Sequence, residues 1–255
     1  MKAATFNANS IRARLPMVLD WLEREAPDIL FVQETKVQDP DFPLQPVKDA
    51  GYHAVFRGQK SYNGVAILSK SPMNDVQTSL SVHGVDDARF ISACIGDIFV
   101  INVYVPQGFQ VGTEKFEFKL AWLRHLYRYI TGNYDPASRL LVAGDFNVAL
   151  STIDLFDPKG YEGEVGFHPD EQAILQEVLD WGLKDLFRMH VKEGNHYTFW
   201  DYRIPNGFKR NMGWRIDYIL GTRSMAERSR TVWIDTEARA LKKPSDHTFL
   251  VAEFD

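Results

Sequence analysis

The chain has 255 residues, 45% of them hydrophobic and 25% charged, a balance that excludes disorder and is enough for one large buried core. Its single cysteine, Cys94, excludes an internal disulfide or a cysteine-built zinc site, and no apolar run nears the roughly 18 residues of a membrane span. The formal charge of −5 excludes a uniformly basic nucleic-acid coat, although not a local basic patch.

Residues 2–6 read as an opening strand. Asn7, Asn9 and Arg12 then interrupt any apolar leader, so a reducing, cytoplasmic setting is expected. Leu15, Val18, Leu19 and Leu22 keep the spacing of one helix face, with Pro16 admissible in a first turn. Residues 28–32 form a buried strand candidate. Strands are predicted next over 52–57, 65–69, 76–82, 89–95 and 98–105, with Gly96-Asp97 as a hairpin turn. Phe116, Leu120, Leu123, Tyr127 and Ile130 trace a helical stripe, followed by a strand over 139–143. Ile174, Leu175, Val178 and Leu179 mark another helix, and strand-like segments recur at 197–200, 215–220, 231–234 and 248–254.

Consecutive strands without intervening helices disfavour a purely doubly wound parallel sheet. The pattern predicts an α/β fold of two mixed β-sheets packed face to face and flanked by helices. No linker or low-complexity tract interrupts it, so a single domain over 1–255 is expected, and the element order suggests two similar halves.

Charge is unevenly placed. Between 203 and 230 the basic residues Arg203, Lys209, Arg210, Arg215, Arg223, Arg228 and Arg230 meet only Asp217 and Glu227. Between 154 and 180 eight acids meet only Lys159. Composition alone reads these as two solvated faces, whereas a polyanion reader would need its basic residues together on one.

Polar groups suited to metal and phosphate chemistry recur at the ends of predicted strands. They are Asn7 and Asn9, Glu34, Asp145 and Asn147, Asp217, and the Asp246-His247 pair. Each alone is more often a turn or cap residue; together, on rigid strand ends, they can converge on one crevice. Carboxylates and amides are hard oxygen ligands that suit Mg²⁺ or Mn²⁺ rather than zinc. An Asp near an Asn can orient and deprotonate water, while a His held by a second Asp can contact a phosphoryl group. There is no GxxxxGK[ST] phosphate loop and no GxSxG elbow. The residues alone therefore point to a metal-assisted phosphoester hydrolase.

Seven blocks occur in one order: Thr5-Phe6-Asn7-Ala8-Asn9-Ser10-Ile11-Arg12, Gln33-Glu34-Thr35-Lys36, Asn63-Gly64-Val65-Ala66, Tyr104-Val105-Pro106-Gln107-Gly108, Gly144-Asp145-Phe146-Asn147, Arg215-Ile216-Asp217-Tyr218 and Ser245-Asp246-His247. This set resembles the exonuclease III family of apurinic/apyrimidinic endonucleases, within the wider endonuclease/exonuclease/phosphatase superfamily, over nearly the whole chain. Gly-Asp-Phe-Asn and Ser-Asp-His indicate only the superfamily; the Gln-Glu-Thr-Lys, Tyr-Val-Pro-Gln-Gly and Gly-Trp-Arg-Ile-Asp-Tyr blocks narrow it to the DNA-repair branch. The resemblance implies a four-layer α/β sandwich, DNase-I-like. It implies a metal-dependent nuclease that hydrolyses the phosphodiester 5′ to abasic sites in duplex DNA, with companion 3′→5′ exonuclease and 3′-end-cleaning activities. Mg²⁺ is the implied cofactor, with Mn²⁺ substituting. The implied partner is double-stranded DNA with abasic sites or 3′ ends, met by a monomer at the nucleoid, with no membrane. RNA or a phosphoinositide is the alternative substrate.

By the same resemblance Glu34 holds the metal, with Asn7 close by and Asp246 near it directly or through water. Asp145 activates the attacking water, and Asn147 orients water and phosphate. His247 contacts the phosphate and is oriented by Asp217, while Tyr104 bonds the scissile phosphate or assists the leaving oxygen. Asn9 and Gln107 contact phosphate or sugar. Phe199, Trp214 and Ile216 line a small apolar pocket for a flipped-out sugar lacking its base, too small for an intact nucleotide. Arg203, Lys209 and Arg210 are the expected phosphate-backbone contacts, with Asn211, Lys36 and Arg12 as lesser candidates. Glu34 has a plainer reading, a surface acid paired with Lys36. Phe6 and Ala8 depart from the family's usual Trp and Val, and the stretches 109–113 and 161–165 look individual to this chain, Glu164 being unhelpful for phosphate contact.

Overall fold

A computed structural model describes all of residues 1–255. The chain opens with β1 (Lys2–Asn7), α1 (Ile11–Glu25) and β2 (Ile29–Gln33), then α2 (Leu44–Asp49), β3 (His53–Arg57) and β4 (Val65–Ser69). Next come β5 (Asn74–Gln77), β6 (Phe90–Ile95), β7 (Ile98–Tyr104), α3 (Glu114–Asn133) and β8 (Leu140–Asp145). They are followed by α4 (Pro169–Asp180), β9 (Leu183–Asp185), α5 (Leu186–His190) and β10 (Asp217–Thr222). The chain ends with α6 (Arg223–Ala226), β11 (Ser229–Asp235), α7 (Thr236–Ala240) and β12 (Phe249–Phe254). No helix is long and apolar enough to cross a membrane.

The strands form two six-stranded sheets, ordered β11-β12-β1-β2-β4-β3 and β5-β6-β7-β8-β10-β9. Each holds one parallel pair, β1 with β2 and β7 with β8, amid antiparallel neighbours. Side chains alternate between the faces of a strand, and the apolar residues sort accordingly. Ala3, Ile29, Phe31, Leu141, Ala143 and Ile219 join an inner cluster between the sheets. Ala4, Phe6, Leu30 and Val32 turn outward against Val18, Trp21 and Leu22 of α1. Leu140, Val142 and Leu220 turn outward against Leu120, Leu123, Ile174 and Leu175 of α3 and α4. Helix, sheet, sheet, helix: the expected four-layer α/β sandwich is what forms.

The inner layer is not wholly apolar. Gln33 Nε2 donates to Asn102 Oδ1 at 2.7 Å, and Asn102 Nδ2 donates to the carbonyls of Val32 and Ala66 across the layer at 3.0 and 2.8 Å. This buried polar bridge pins β7 of one sheet to β2 and β4 of the other, and a pinned layer has one register.

Four sequence expectations need correction. The strand predicted over 76–82 shrinks to β5, an exposed edge strand whose alternation had no buried face to report. The strand predicted over 197–200 is absent; Phe199 makes only isolated bridges to Trp214 and His247. Pro16 lies inside α1 beyond its first turn, so it has no N–H to donate to the carbonyl of exposed Arg12 four residues earlier. The basic run 203–230 does not form one face. Arg215 is buried against Asp154 and Asp185 at 2.7 and 2.8 Å, Arg223 pairs with Glu227, and Arg230 pairs with Asp255.

Candidate active site

Strand parity delivers the polar residues to one place. Asn7 continues the inward row of Ala3 and Thr5, Asp145 that of Leu141 and Ala143, Asp217 that of Ile219, and Tyr104 that of Val100 and Asn102. All four stand where the strands run out, at one end of the inner layer. In the second sheet Asp145 is flanked by Tyr104 on β7 and by Asp217 on β10. Gly144 makes this approach possible: at φ +145°, a Cβ there would lie 2.0 Å from the Val103 carbonyl oxygen.

Two carboxylates directly opposed across strands repel. His247 lies between them, its Nδ1–H donating to Asp217 Oδ2 at 2.8 Å and its Nε2 3.7 Å from Asp145 Oδ2. A carboxylate only accepts, so Nδ1 carries a proton and Nε2 faces the cleft side. Burial alone would lower the imidazole pKa, but Asp217 and then Asp145 outweigh it and raise it to about 10. Burial pushes Asp145 the other way, up to about 7, with His247 opposing and Asp217 reinforcing. Burial and the charge of Glu34 raise the Tyr104 phenol well above its ordinary value, so its hydroxyl stays protonated.

The first sheet supplies the remaining groups. Asn7 Nδ2 donates to Glu34 Oε1 and to Asp145 Oδ2, both at 2.9 Å, and so joins the two sheets. Lys36 Nζ sits 2.7 Å from Glu34 Oε2 and 2.6 Å from Asn9 Oδ1, and Asn9 Nδ2 donates to Asp246 Oδ1 at 2.9 Å. Burial would raise the Glu34 pKa, but the bonds from Lys36 and Asn7 bring it below the ordinary value. Glu34 thus pairs with Lys36, as its plainer reading expects, but it is mostly buried and bonded through Asn7 into the cluster. Asn147 takes a left-handed conformation, φ +52°, with its N–H donating to Asp145 Oδ1 and its Nδ2 to the Val105 carbonyl, each at 2.9 Å. Ser245 Oγ donates to the Asn7 carbonyl at 2.7 Å and accepts the His247 N–H at 3.2 Å, which ties the last strand's approach to the first strand.

The donor set fits a hard divalent cation. Asp145, Asp217 and His247 offer ligand atoms within 4.8 Å of one another, and Asp217 Oδ1 is buried without a partner. An imidazolium cannot ligate, which leaves the carboxylate oxygens of Asp145 and Asp217 from that group, with those of Glu34 and of neighbouring Asn7 and Asp246 beside them. Lys36 supplies the only ammonium charge among them.

Beside this cluster opens a cleft of about 590 Å³. Its walls include all three residues expected of the apolar pocket, Phe199, Trp214 and Ile216, with Gln107, Asn147 and Arg203. Phe199 lies against the His247 ring at a centroid distance of 4.8 Å, so the apolar wall abuts the imidazole. Lys209 and Arg210 are exposed but do not line the cleft. Arg203 does, although its guanidinium is held by Asp201 at 2.6 Å. Asn211 is a loop tie: its Oδ1 accepts from Trp200 Nε1 and its Nδ2 donates to the Asn195 carbonyl.

Several lining residues escaped the sequence reading, among them Phe109, Tyr161, Gly166 and Ile204. Tyr161 packs edge-on against Trp214 at 4.8 Å. Phe109 is 64% exposed in a left-handed conformation, φ +62°. The only signal for either was their position in two stretches that looked individual to this chain. Glu164, set aside as unhelpful, also lines the cleft.

Comparison with known proteins fits this geometry. The model of the "Endonuclease/Exonuclease/phosphatase family" matches residues 4–247. Exodeoxyribonuclease III of Haemophilus influenzae is 35% identical, with 100% of each chain covered. The solved structure of an AP endonuclease from Archaeoglobus fulgidus is 44% identical, covers 100% of this chain and 99% of its own, and superposes with a TM-score of 0.97. A 3′ phosphatase from Neisseria, bound to a product DNA hairpin, is 38% identical with the same coverages and a TM-score of 0.94.

Proposed function

The chain belongs to the endonuclease/exonuclease/phosphatase family, and on that premise we propose that it cuts the phosphodiester on the 5′ side of an abasic residue in duplex DNA. It is a DNA-repair nuclease, and the whole of 1–255 acts as one catalytic domain, because both sheets contribute to the cluster. A single copy suffices, since every group named comes from this chain. One observation carries the substrate: the apolar slot of Phe199, Trp214 and Ile216 opens directly beside His247. A sugar without a base can enter such a slot while its phosphate meets the imidazole; an intact nucleotide would have to bring its base as well. A free 3′ end presents a sugar to the same slot, which supports 3′→5′ exonuclease and 3′-end-cleaning as companions.

The chemistry divides among the residues as follows. Asp145, with a pKa near 7, takes the proton from a water that Asn147 helps orient. His247, held as an imidazolium by Asp217, presents Nε2–H to a phosphoryl oxygen as negative charge builds. Tyr104 keeps its proton and donates to the scissile phosphate or the departing 3′-oxygen. Glu34, with Asn7 and Asp246 near it, would hold Mg²⁺, and Mn²⁺ in its stead. When bound, the ion supplies Lewis-acid neutralisation of the phosphate oxygens. Gln107 and Asn9 are assigned to sugar or phosphate contacts, and exposed Arg203, Lys209 and Arg210 to the backbone.

The test is incision of a duplex carrying one tetrahydrofuran abasic analogue, with and without Mg²⁺. Mg²⁺-dependent cleavage on its 5′ side, leaving a 3′-hydroxyl, is expected. No incision, or preference for RNA or a phosphoinositide in the same panel, would sink the reading.

A further inference from the structure

Beneath the cleft lies a charged pair with no accessible surface. Lys119 of α3 and Glu171 of α4 are both 0% exposed, with Nζ 2.7 Å from Oε2. Burying two charges is costly, and an apolar pair often serves a fold as well. The surrounding α3–α4 packing is already supplied by Leu120, Leu123, Ile174 and Leu175. Burial pulls the Lys119 pKa down and the Glu171 pKa up, and each is held charged mainly by the other. The pair therefore needs a reason beyond stability.

Its other bonds supply one. Lys119 Nζ donates to the carbonyl oxygens of Asn147 at 2.7 Å and Gln107 at 3.2 Å, which with Glu171 uses all three ammonium protons. The two Glu171 oxygens lie 3.0 and 3.1 Å from the Gly166 nitrogen, whose N–H they accept. Gln107, Asn147 and Gly166 belong to three different loops, and all three line the cleft. The lysine stem runs close under Gly108, where a Cβ would come within 3.0 Å of Lys119 Cδ and 2.9 Å of Val165. At φ +95°, that glycine lets the first loop close down onto the stem.

We propose that Lys119 and Glu171 are positioning residues of the active site: from below, the pair ties together the three loops that wall the cleft. It thereby sets the width of the slot and the angle at which Asn147 meets water and phosphate. The proposal rests on the nuclease reading for its consequence, but not for its geometry. Neither side chain touches substrate.

The decisive variant is the double replacement Lys119→Met with Glu171→Gln. It removes both charges together, keeps an acceptor for the Gly166 N–H, and leaves the carbonyls of Gln107 and Asn147 without their donor. Expected are a Tm within a few degrees of wild type, KM for an abasic duplex within about threefold, and kcat lower by at least about tenfold. Amide hydrogen exchange should quicken across 105–113 and 144–150 and stay unchanged in β1 and β12. Lys119→Arg keeps donors for both carbonyls and should bring kcat back to within about threefold. A folded double variant whose kcat stays within about threefold of wild type, or whose exchange over both loops matches wild type, overturns the proposal. The exchange measurement needs no substrate, so a wild-type protein that incises no duplex would sink the nuclease reading while leaving the exchange result decisive for the pair.

Discussion

Two clusters of buried charge are built on opposite plans. In one, Asp154 and Asp185 meet Arg215 and Arg188 in equal numbers. Arg215 Nε and Arg188 Nη2 bond Asp154 Oδ1 at 2.7 and 2.6 Å, and Arg215 Nη2 lies 2.8 Å from Asp185 Oδ2. Burial would raise the Asp154 pKa, but the two arginines carry it below the ordinary value. In the other, the carboxylates of Glu34, Asp145, Asp217 and Asp246 form direct ion pairs only with Lys36 and the His247 imidazolium. There Asp145 rises to about 7 instead of falling. A balanced cluster holds structure. A cluster short of positive charge is poised to take a cation and to move a proton.

The sharpest break of this contrast is Asp145→Asn. Removing the base should cut the cleavage rate by about 10³-fold or more while DNA binding and Tm stay near wild type; unchanged cleavage would mean the role is misassigned. Asp154→Asn should do the reverse, costing about 3–5 kcal/mol in urea unfolding by leaving buried guanidinium charge uncompensated, with the folded enzyme's kcat intact. If instead activity falls and stability holds, the two clusters have been told apart wrongly.

Asp217→Asn is expected to lower kcat by about 10²-fold, because an amide neither holds the imidazolium nor fixes the proton on Nδ1. It also has a pH signature. The pKa of His247 is raised from 6.5 to about 10, so its stabilisation is fully present below pH 6.5 and is lost as pH climbs through 10. In Asp217→Asn that alkaline loss should begin at lower pH, as a denaturation series in chelator would reveal; identical profiles would count against the pairing.

The smallest effect concerns the cation. Mg²⁺ should raise Tm, and more at pH 8 than at pH 6, since at pH 6 a group with pKa near 7 must first give up its proton. One unit between pH and pKa corresponds to about 1.4 kcal/mol of lost binding energy. Equal Tm shifts at both pH values would uncouple Asp145 from the metal.

Much of this contrast was legible in the sequence, and unevenly so. Asp145, Asn147, Glu34 and His247 stand beside strong strand signals, and strand parity carries such residues to a predictable face. The balanced cluster was invisible. Arg215 reads as one more cation in a basic run because its partners Asp154 and Asp185 lie 61 and 30 residues away in the chain, and no local pattern encodes such a meeting. The same holds for Lys119: on a helix otherwise read from Phe116, Leu120 and Leu123, it looked like an ordinary polar position. The segment 197–200 misled in the opposite sense: Phe199 answers to the cleft wall and not to a ladder.

The amide bridge from Gln33 to Asn102 has a consequence for how this enzyme could be taken apart. Two slabs touching only through grease can slide, but these are bolted next to the catalytic end. A fragment ending before β7 holds strands of both sheets, so it and its complement should each be inert alone and regain cleavage only when the ladders and the bolt close together.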